Sequence, residues 1–267
     1  MNTQFLNTPE GTLAFDDTGG TGETVVCLPG MGDLRQQYRF LVRDLASAGY
    51  RVITLDLRGH GESSTGWPEY TAEAVTKDLL LLLDHLNLKS AHLIGNSFAA
   101  RTVIYAALEK SERVKSLTLL GPVVRTLPMP WYMDLTVKVA FAGPWNTAFW
   151  MAYWNSLFPA RKPADHQQYA AKLKRHMGQK GQMDALKAYM APSKIDVEPL
   201  LPKVQKPALV IMGSRDPDFK DPIAEAKWLA ERLSAELMPV ETSGHYPHTE
   251  FPEQVSERIL QFLKGVK

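Results

Sequence analysis

The sequence predicts an α/β protein with a mostly parallel, twisted sheet flanked by helices and interrupted by a helical cap insertion. Short β-branched apolar runs alternate with segments of helical periodicity up to residue 121. The same alternation resumes near residue 205. The stretch between is helical and aromatic in character. We therefore expect residues 1–121 and 205–267 to form one core domain, and residues 122–204 to form the cap, which we call the insert.

The first half of the chain supplies a hairpin and then regular strand–helix pairs. Turn-forming residues at 9–11 join two extended segments, 3–8 and 11–17, into the predicted hairpin. A continuous apolar run such as 24–30 is typical of a strand buried on both faces of a parallel sheet. The elements that follow are a helix over 35–49, a strand over 51–57, a helix over 71–86, a strand over 90–96, a helix over 98–110 and a strand over 114–121.

Past the insert, the pattern predicts two further strand–helix pairs. These are a strand over 207–213, a helix over 222–233, a strand over 235–241 and a closing helix over 252–263. Strands and helices that alternate in this way imply right-handed crossovers and parallel pairing.

Composition excludes several classes of function. The chain has 267 residues with 30 basic and 29 acidic side chains, a formal net charge of +1, which argues against nucleic-acid binding. No apolar run, including the five leucines of residues 79–83, is long enough to span a bilayer, and no signal peptide is visible, so a cytoplasmic protein without membrane contact is expected. Cys27 is the only cysteine and is interpreted as a buried apolar strand residue. Nothing in the sequence specifies the oligomeric state.

The clearest local signal is the pentapeptide from Gly95 to Ala99, which carries Ser97 between a strand and a helix. A serine on a tight strand-to-helix turn presents its hydroxyl above the sheet. The helix that follows offers free N–H groups, which favour a developing negative charge. The alternative interpretation of Ser97 is a simple helix cap.

Other motifs occur in a characteristic order along the chain, and together they resemble the α/β-hydrolase family. Ala99 stands where that family's G-x-S-x-G motif has its last glycine. Residues 28–32 resemble the oxyanion loop, with Pro29 at a position that is often histidine, and residues 56–63 resemble the D-x-R-G-x-G-x-S turn. Asp216 and His245 follow late strands where the family places its acid and its histidine.

Chemistry assigns a role to each of these residues. Ser97 is the expected nucleophile, His245 the base that takes its proton, and Asp216 the acid that orients the imidazole. The backbone N–H groups of Met31 and Phe98 are the expected oxyanion donors. We expect neither a cofactor nor a metal, and activity that falls on acidification through about pH 6–7, near the intrinsic imidazole pKa. His248 remains an alternative to His245, and Asp218 and Asp221 remain alternatives to Asp216.

In the α/β-hydrolase family, haloalkane dehalogenases and epoxide hydrolases carry an aspartate at the position of the nucleophile. The serine found here therefore implies acyl transfer to a hydroxyl group. Aromatic residues recur at helical spacing from Trp145 to Phe158 in the insert, and part of this face is expected to cover an apolar pocket. The candidate pocket residues are Trp131, Trp150, Trp154 and Phe219. The predicted substrate is a small, mainly apolar carboxylic ester.

Three alternatives remain open. A lactonase or a hydrolase of carbon–carbon bonds would use the same three residues. A ligand-binding member similar to the hormone receptors of this family would keep the triad and act by interaction. A pseudoenzyme weakened at Ala99 and Pro29 is the third.

Overall fold

The computed structural model describes residues 2–125, 139–191 and 197–266. In these ranges, strands form one sheet in the order β1-β2-β4-β3-β5-β6-β7-β8. β1 and β2 pair antiparallel with each other, as do β2 and β4, and every other neighbouring pair is parallel. The strands are β1 Gln4–Asn7, β2 Thr12–Asp17, β3 Thr24–Leu28, β4 Arg51–Leu55, β5 Ala91–Asn96, β6 Val114–Leu120, β7 Ala208–Gly213 and β8 Glu236–Val240. The predicted mostly parallel sheet is confirmed.

Helices flank the sheet and form the insert. Their bounds are α1 Arg39–Ser47, α2 Ala72–His85, α3 Phe98–Glu109, α4 Asn146–Ser156, α5 His166–Met177, α6 Gln182–Tyr189, α7 Pro222–Leu233, α8 Pro247–Glu250 and α9 Pro252–Gly265. The helices α4, α5 and α6 lie between β6 and β7 in the chain. Two helix starts are fixed by side-chain caps, because Thr71 accepts from Ala74 N at 3.2 Å and Asp221 accepts from Ala224 N at 2.9 Å.

Both faces of the central strands of the sheet are buried. In β3, Val26 and Leu28 belong to one apolar cluster, while Val25 and Cys27 belong to a second cluster on the opposite face. Burial raises the pKa of the Cys27 thiol, so this residue behaves as a small apolar side chain. Helices must therefore cover the sheet from both sides, and the strand ends are the places left for a site.

The insert packs on the loops that leave the carboxyl ends of the strands. A third apolar cluster joins insert residues such as Trp150, Trp154 and Leu173 to Leu34, which follows β3, and to Tyr246, which follows β8. The insert therefore lies over the carboxyl edge of the sheet. Among the helices in the described ranges, none has the length and apolar character needed to cross a bilayer.

Candidate active site

Ser97 is the single residue between the end of β5 and the start of α3. Its backbone has φ 55° and ψ −121°, a conformation that L-residues rarely adopt and that signals local strain. A Cβ atom at Gly95 would lie 2.5 Å from the Ala99 carbonyl oxygen. The close approach in this turn is thus at Gly95, and the fully buried Ala99 accommodates its own methyl group where the family motif has glycine.

The neighbours of Ser97 come from the ends of β3 and β6. Its N–H donates to the carbonyl of Leu120 at 3.0 Å, and its carbonyl accepts from Val123 N at 3.2 Å. A Cβ atom at Gly30 would lie 3.1 Å from the Ser97 Cβ, so the loop that holds Met31 passes directly beside the serine. The two expected oxyanion donors, on Met31 and Phe98, therefore both belong to segments adjoining Ser97.

His245 and Asp216 form a buried pair at the same edge of the sheet. Nδ1 of His245 lies 2.8 Å from Oδ2 of Asp216, and the two residues are 2% and 1% exposed. A Cβ atom on Gly121, which follows β6, would lie 3.3 Å from His245 Nδ1. Asn96 Nδ2 donates to Leu120 O at 2.8 Å and approaches His245 O at 3.4 Å. The three expected triad residues thus belong to segments that meet at the ends of β5 and β6.

The alternative residues have different surroundings. The His248 ring stacks on Tyr38 with centroids 5.1 Å apart, and neither ring nitrogen has a hydrogen-bond partner among the described residues. Burial lowers the pKa of His248 to about 3. Asp221 is the N-cap of α7. Asp218 is close to the site, with Oδ2 at 3.5 Å from His245 Nδ1.

The electrostatic surroundings of His245 favour its protonated form. Burial alone would lower the pKa of His245, but the negative charges of Asp216 and Asp218 outweigh burial and raise the pKa to about 9. The expected transition at pH 6–7 was based on the intrinsic imidazole pKa, whereas the raised pKa of His245 implies a transition at higher pH. Two carboxylates beside one buried imidazole are the physical reason for the difference.

One insert helix, α4, reaches two of the loops around the site with polar side-chain atoms. Trp150 Nε1 donates to Gly32 O at 2.9 Å, and Trp154 Nε1 donates to Asp33 Oδ2 at 3.2 Å. Tyr153 donates its hydroxyl hydrogen to Asp218 Oδ1. The residues after β3 and after β7 are therefore fixed by the same helix, an arrangement that the sequence analysis did not predict.

The loop that carries His245 is fixed by the residues just after α4 and by Glu250. His245 N donates to Leu157 O at 3.1 Å. The buried Glu250 carboxylate accepts from Ser243 Oγ at 2.7 Å and from Ala160 N at 3.0 Å. Backbone and side-chain donors thus hold the loop on both sides of the imidazole.

The candidate pocket residues occupy different places. Trp150 and Trp154 are 2% and 1% exposed, and the Trp154 ring stacks on His166 and Tyr169 inside the insert. Phe219 is 9% exposed and belongs to the same apolar cluster as Phe98. Trp131 lies outside the described residues. The predicted aromatic face of α4 is divided, since Trp145 and Phe149 at its start are exposed.

A single group of potential metal-binding side chains occurs within the described ranges, and it is the group around His245. One ligand-type atom from each of Asp216, Asp218 and His245 lies within 4.8 Å of the others. The direct His245–Asp216 hydrogen bond uses atoms that a metal ion would need.

Comparison of the sequence with models of known protein families agrees with the fold. Residues 23–252 match the model of the alpha/beta hydrolase fold family. The chain belongs to this family.

Curated relatives match along most of the chain. The chain is 29% identical to the dihydrolipoyllysine-residue acetyltransferase component of the acetoin cleaving system of Pseudomonas putida, over 94% of this chain and 66% of that protein. It is 28% identical to 2-hydroxy-6-oxononadienedioate/2-hydroxy-6-oxononatrienedioate hydrolase 1 of Dechloromonas aromatica, over 97% of this chain and 94% of that protein. It is 24% identical to 3-oxoadipate enol-lactonase 2 of Acinetobacter baylyi, over 80% of this chain and 79% of that protein. Hydrolases predominate among these relatives, which supports an enzyme.

A solved structure agrees on the fold. The esterase of Exiguobacterium antarcticum superposes with a TM-score of 0.86 at 20% identity, over 98% of this chain and 99% of that one. At this identity the likeness establishes the architecture alone.

Proposed function

We propose that this protein is a serine hydrolase that cleaves small, mainly apolar carboxylic esters through an acyl-enzyme on Ser97. The observation that carries the proposal is the buried His245–Asp216 pair, with 2.8 Å between Nδ1 and Oδ2, at the edge of the sheet where Ser97 occupies a strained turn. A serine hydroxyl is a poor nucleophile until a base takes its proton, and an oriented imidazole is that base.

The geometry implies a direction for each proton. Because Nδ1 of His245 faces Asp216, Nε2 is the nitrogen that accepts the Ser97 proton as Oγ attacks the ester carbonyl. The carbonyl oxygen becomes an anion, which the N–H groups of Met31 and Phe98 stabilise; losing one such donor costs ~10²–10³ in rate. The alkoxide leaving group then takes the proton from His245. Water then attacks the acyl-enzyme and gives its proton to His245, which passes that proton to Ser97 Oγ as the acid is released.

Two observations support a small, weakly charged substrate. The side chains of α4 and of Phe219 around the strand ends are largely apolar and aromatic. The formal net charge of +1 provides no dense basic surface for a polyanion. The substrate proposed is therefore an ester with a modest acyl or aromatic group, bound beneath the insert as a cap.

A lactonase is the second candidate, because a lactone is a cyclic ester and the same attack on its carbonyl opens the ring. The resemblance to an enol-lactonase favours it. A hydrolase of carbon–carbon bonds would use the same three residues on a ketone carbonyl, and the resemblance to an oxononadienedioate hydrolase favours that reaction. These candidates share Ser97 and differ in substrate.

The test is turnover of nitrophenyl esters of graded acyl length, together with simple lactones and a vinylogous diketone, by the full chain and by its Ser97→Ala variant. We expect release of nitrophenol from short-chain esters and its loss in the variant. The matched control is Ser256→Ala, a buried serine in α9, which should keep full activity. Full turnover by Ser97→Ala would contradict the nucleophile assignment, and preference for lactone or diketone would select the second candidates.

A further inference from the structure

A second carboxylate faces the imidazole of His245. Oδ2 of Asp218 lies 3.5 Å from Nδ1, beyond a strong hydrogen bond but well inside the range of a direct charge interaction. The Asp218 side chain is 19% exposed, so solvent screens this interaction weakly. The backbone N–H of Asp218 donates to Asp216 Oδ1 at 3.0 Å, which fixes both carboxylates in one turn.

The orientation of Asp218 is set from the insert. The Tyr153 hydroxyl of α4 donates to Oδ1 of Asp218, which leaves Oδ2 facing the imidazole. Tyr153 is separated from Asp218 by more than sixty residues of chain, so a contact between them is a product of the packing of the insert on the core.

The titratable groups that interact with His245 in the described part of the chain come from four segments. They are Asp216 and Asp218 from the turn after β7, Tyr153 from α4, Asp33 from the loop after β3, and Tyr246 and His248 from the histidine's own segment. Asp33 is engaged by Tyr169 at 2.5 Å and by Trp154 at 3.2 Å.

We propose that Asp218, held by Tyr153, is a second positioning residue for His245, and that it shares with Asp216 the orientation of the imidazole and the stabilisation of its protonated form. This inference rests on the proposed function of the site. Asp216 makes the hydrogen bond in the resting protein, and Asp218 supplies the second charge. When Asp216 is neutralised, Asp218 is near enough to accept from Nδ1 after a small side-chain rotation.

The first test is the pH dependence of kcat/KM for a nitrophenyl ester. Asp218→Asn should move the acidic limb to lower pH by about one unit, because the protonated imidazole loses one of two neighbouring charges. Tyr153→Phe should move it in the same direction by less. The matched control is Asp221→Asn, which removes a charge from the same segment but keeps a good N-cap for α7; its limb should not move.

The second test uses the double variant. Replacing the sole acid of a triad by its amide lowers kcat by about 10⁴. Because Asp218 can take over the role of Asp216, Asp216→Asn should lower kcat only by roughly 10–10² fold. Asp216→Asn combined with Asp218→Asn should lower kcat by the full factor of about 10⁴. The proposal is overturned if the double variant has the same kcat as Asp216→Asn and if the acidic limb of the kcat/KM profile of Asp218→Asn stays at the pH of the parent protein.

Nuclear magnetic resonance tests the role of Asp218 without requiring that the protein turn over an ester. The pKa of His245 is measured from its imidazole signals in Ser97→Ala and in Ser97→Ala combined with Asp218→Asn. A lower pKa in the double variant supports the role of Asp218 even if no ester is turned over. Equal pKa values overturn that role while leaving Ser97-dependent turnover, the test of the proposed function, unaffected.

Discussion

Replacing His248 with phenylalanine should make the folded protein less sensitive to acid. His248 is 1% exposed, stacks on Tyr38, and has no hydrogen-bond partner for either ring nitrogen among the described residues. Its pKa is about 3 in the folded protein, against 6.5 for a free imidazole. A phenyl ring keeps the stacking contact and cannot be protonated.

The magnitude follows from proton linkage. Because the folded pKa of His248 is the lower one, the unfolded chain binds more protons between about pH 6.5 and pH 3, and stability is lost as pH falls through that window. From pH 7 to pH 5 the His248 contribution to the loss is about 2 kcal/mol. His248→Phe should not lose this part of the free energy of unfolding, because phenylalanine cannot be protonated.

The assay is urea unfolding of both proteins at pH 7 and at pH 5, with His85→Gln as the control for an exposed histidine. The difference in free energy of unfolding between the two pH values should be about 2 kcal/mol smaller in His248→Phe and unchanged in the control. Equal pH sensitivity of variant and parent would refute the reasoning. Ester turnover should persist in His248→Phe, which also tests the choice of His245 as the base.

Three other predictions concern the site. Gly95→Ala should lower the free energy of unfolding by about 1–3 kcal/mol or more, because the new Cβ would lie 2.5 Å from the Ala99 carbonyl oxygen. Ala99→Gly should lower it by only about 1 kcal/mol. Urea unfolding of both variants measures the two losses, and equal losses would contradict this prediction. The kcat/KM profile should rise until about pH 9, since His245 must be neutral to act as a base, and a plateau already at pH 6 would argue against it. Trp150→Phe should lose about 1–3 kcal/mol of stability and lower kcat, because Gly32 O loses its donor, and stability and kinetics equal to those of the parent would show that this bond is dispensable.

Much of the fold follows from periodicity that is local in sequence. The predicted strand over 90–96 and helix over 98–110 correspond to Ala91–Asn96 and Phe98–Glu109, because a buried apolar run and a helical pattern meet at Ser97. Strand ends differ by one or two residues: the predicted strand over 51–57 stops at Leu55, where Asp56 turns to accept from Arg35 N at 2.7 Å. Such side-chain contacts end an element without any local signal.

The site was only partly predictable for the same reason. Asp216 and His245 follow strands, and strand ends of a parallel sheet meet at one edge. The bonds from Tyr153 to Asp218, from Trp150 to Gly32 and from Ala160 to Glu250 join residues far apart in the chain, so periodicity carries no information about them. The single available sign was that several aromatic residues of 145–154 carry N–H or O–H donors, which buried aromatic side chains must pair.

The central claim is that Ser97 is an activated nucleophile, and reaction with a fluorophosphonate followed by mass spectrometry tests it most directly. We expect one adduct per chain, located on the peptide that contains Ser97, absent from Ser97→Ala and formed at a rate that rises with deprotonation of His245. An unlabelled Ser97 in a preparation that hydrolyses esters, or an adduct at another residue that abolishes turnover, would contradict it.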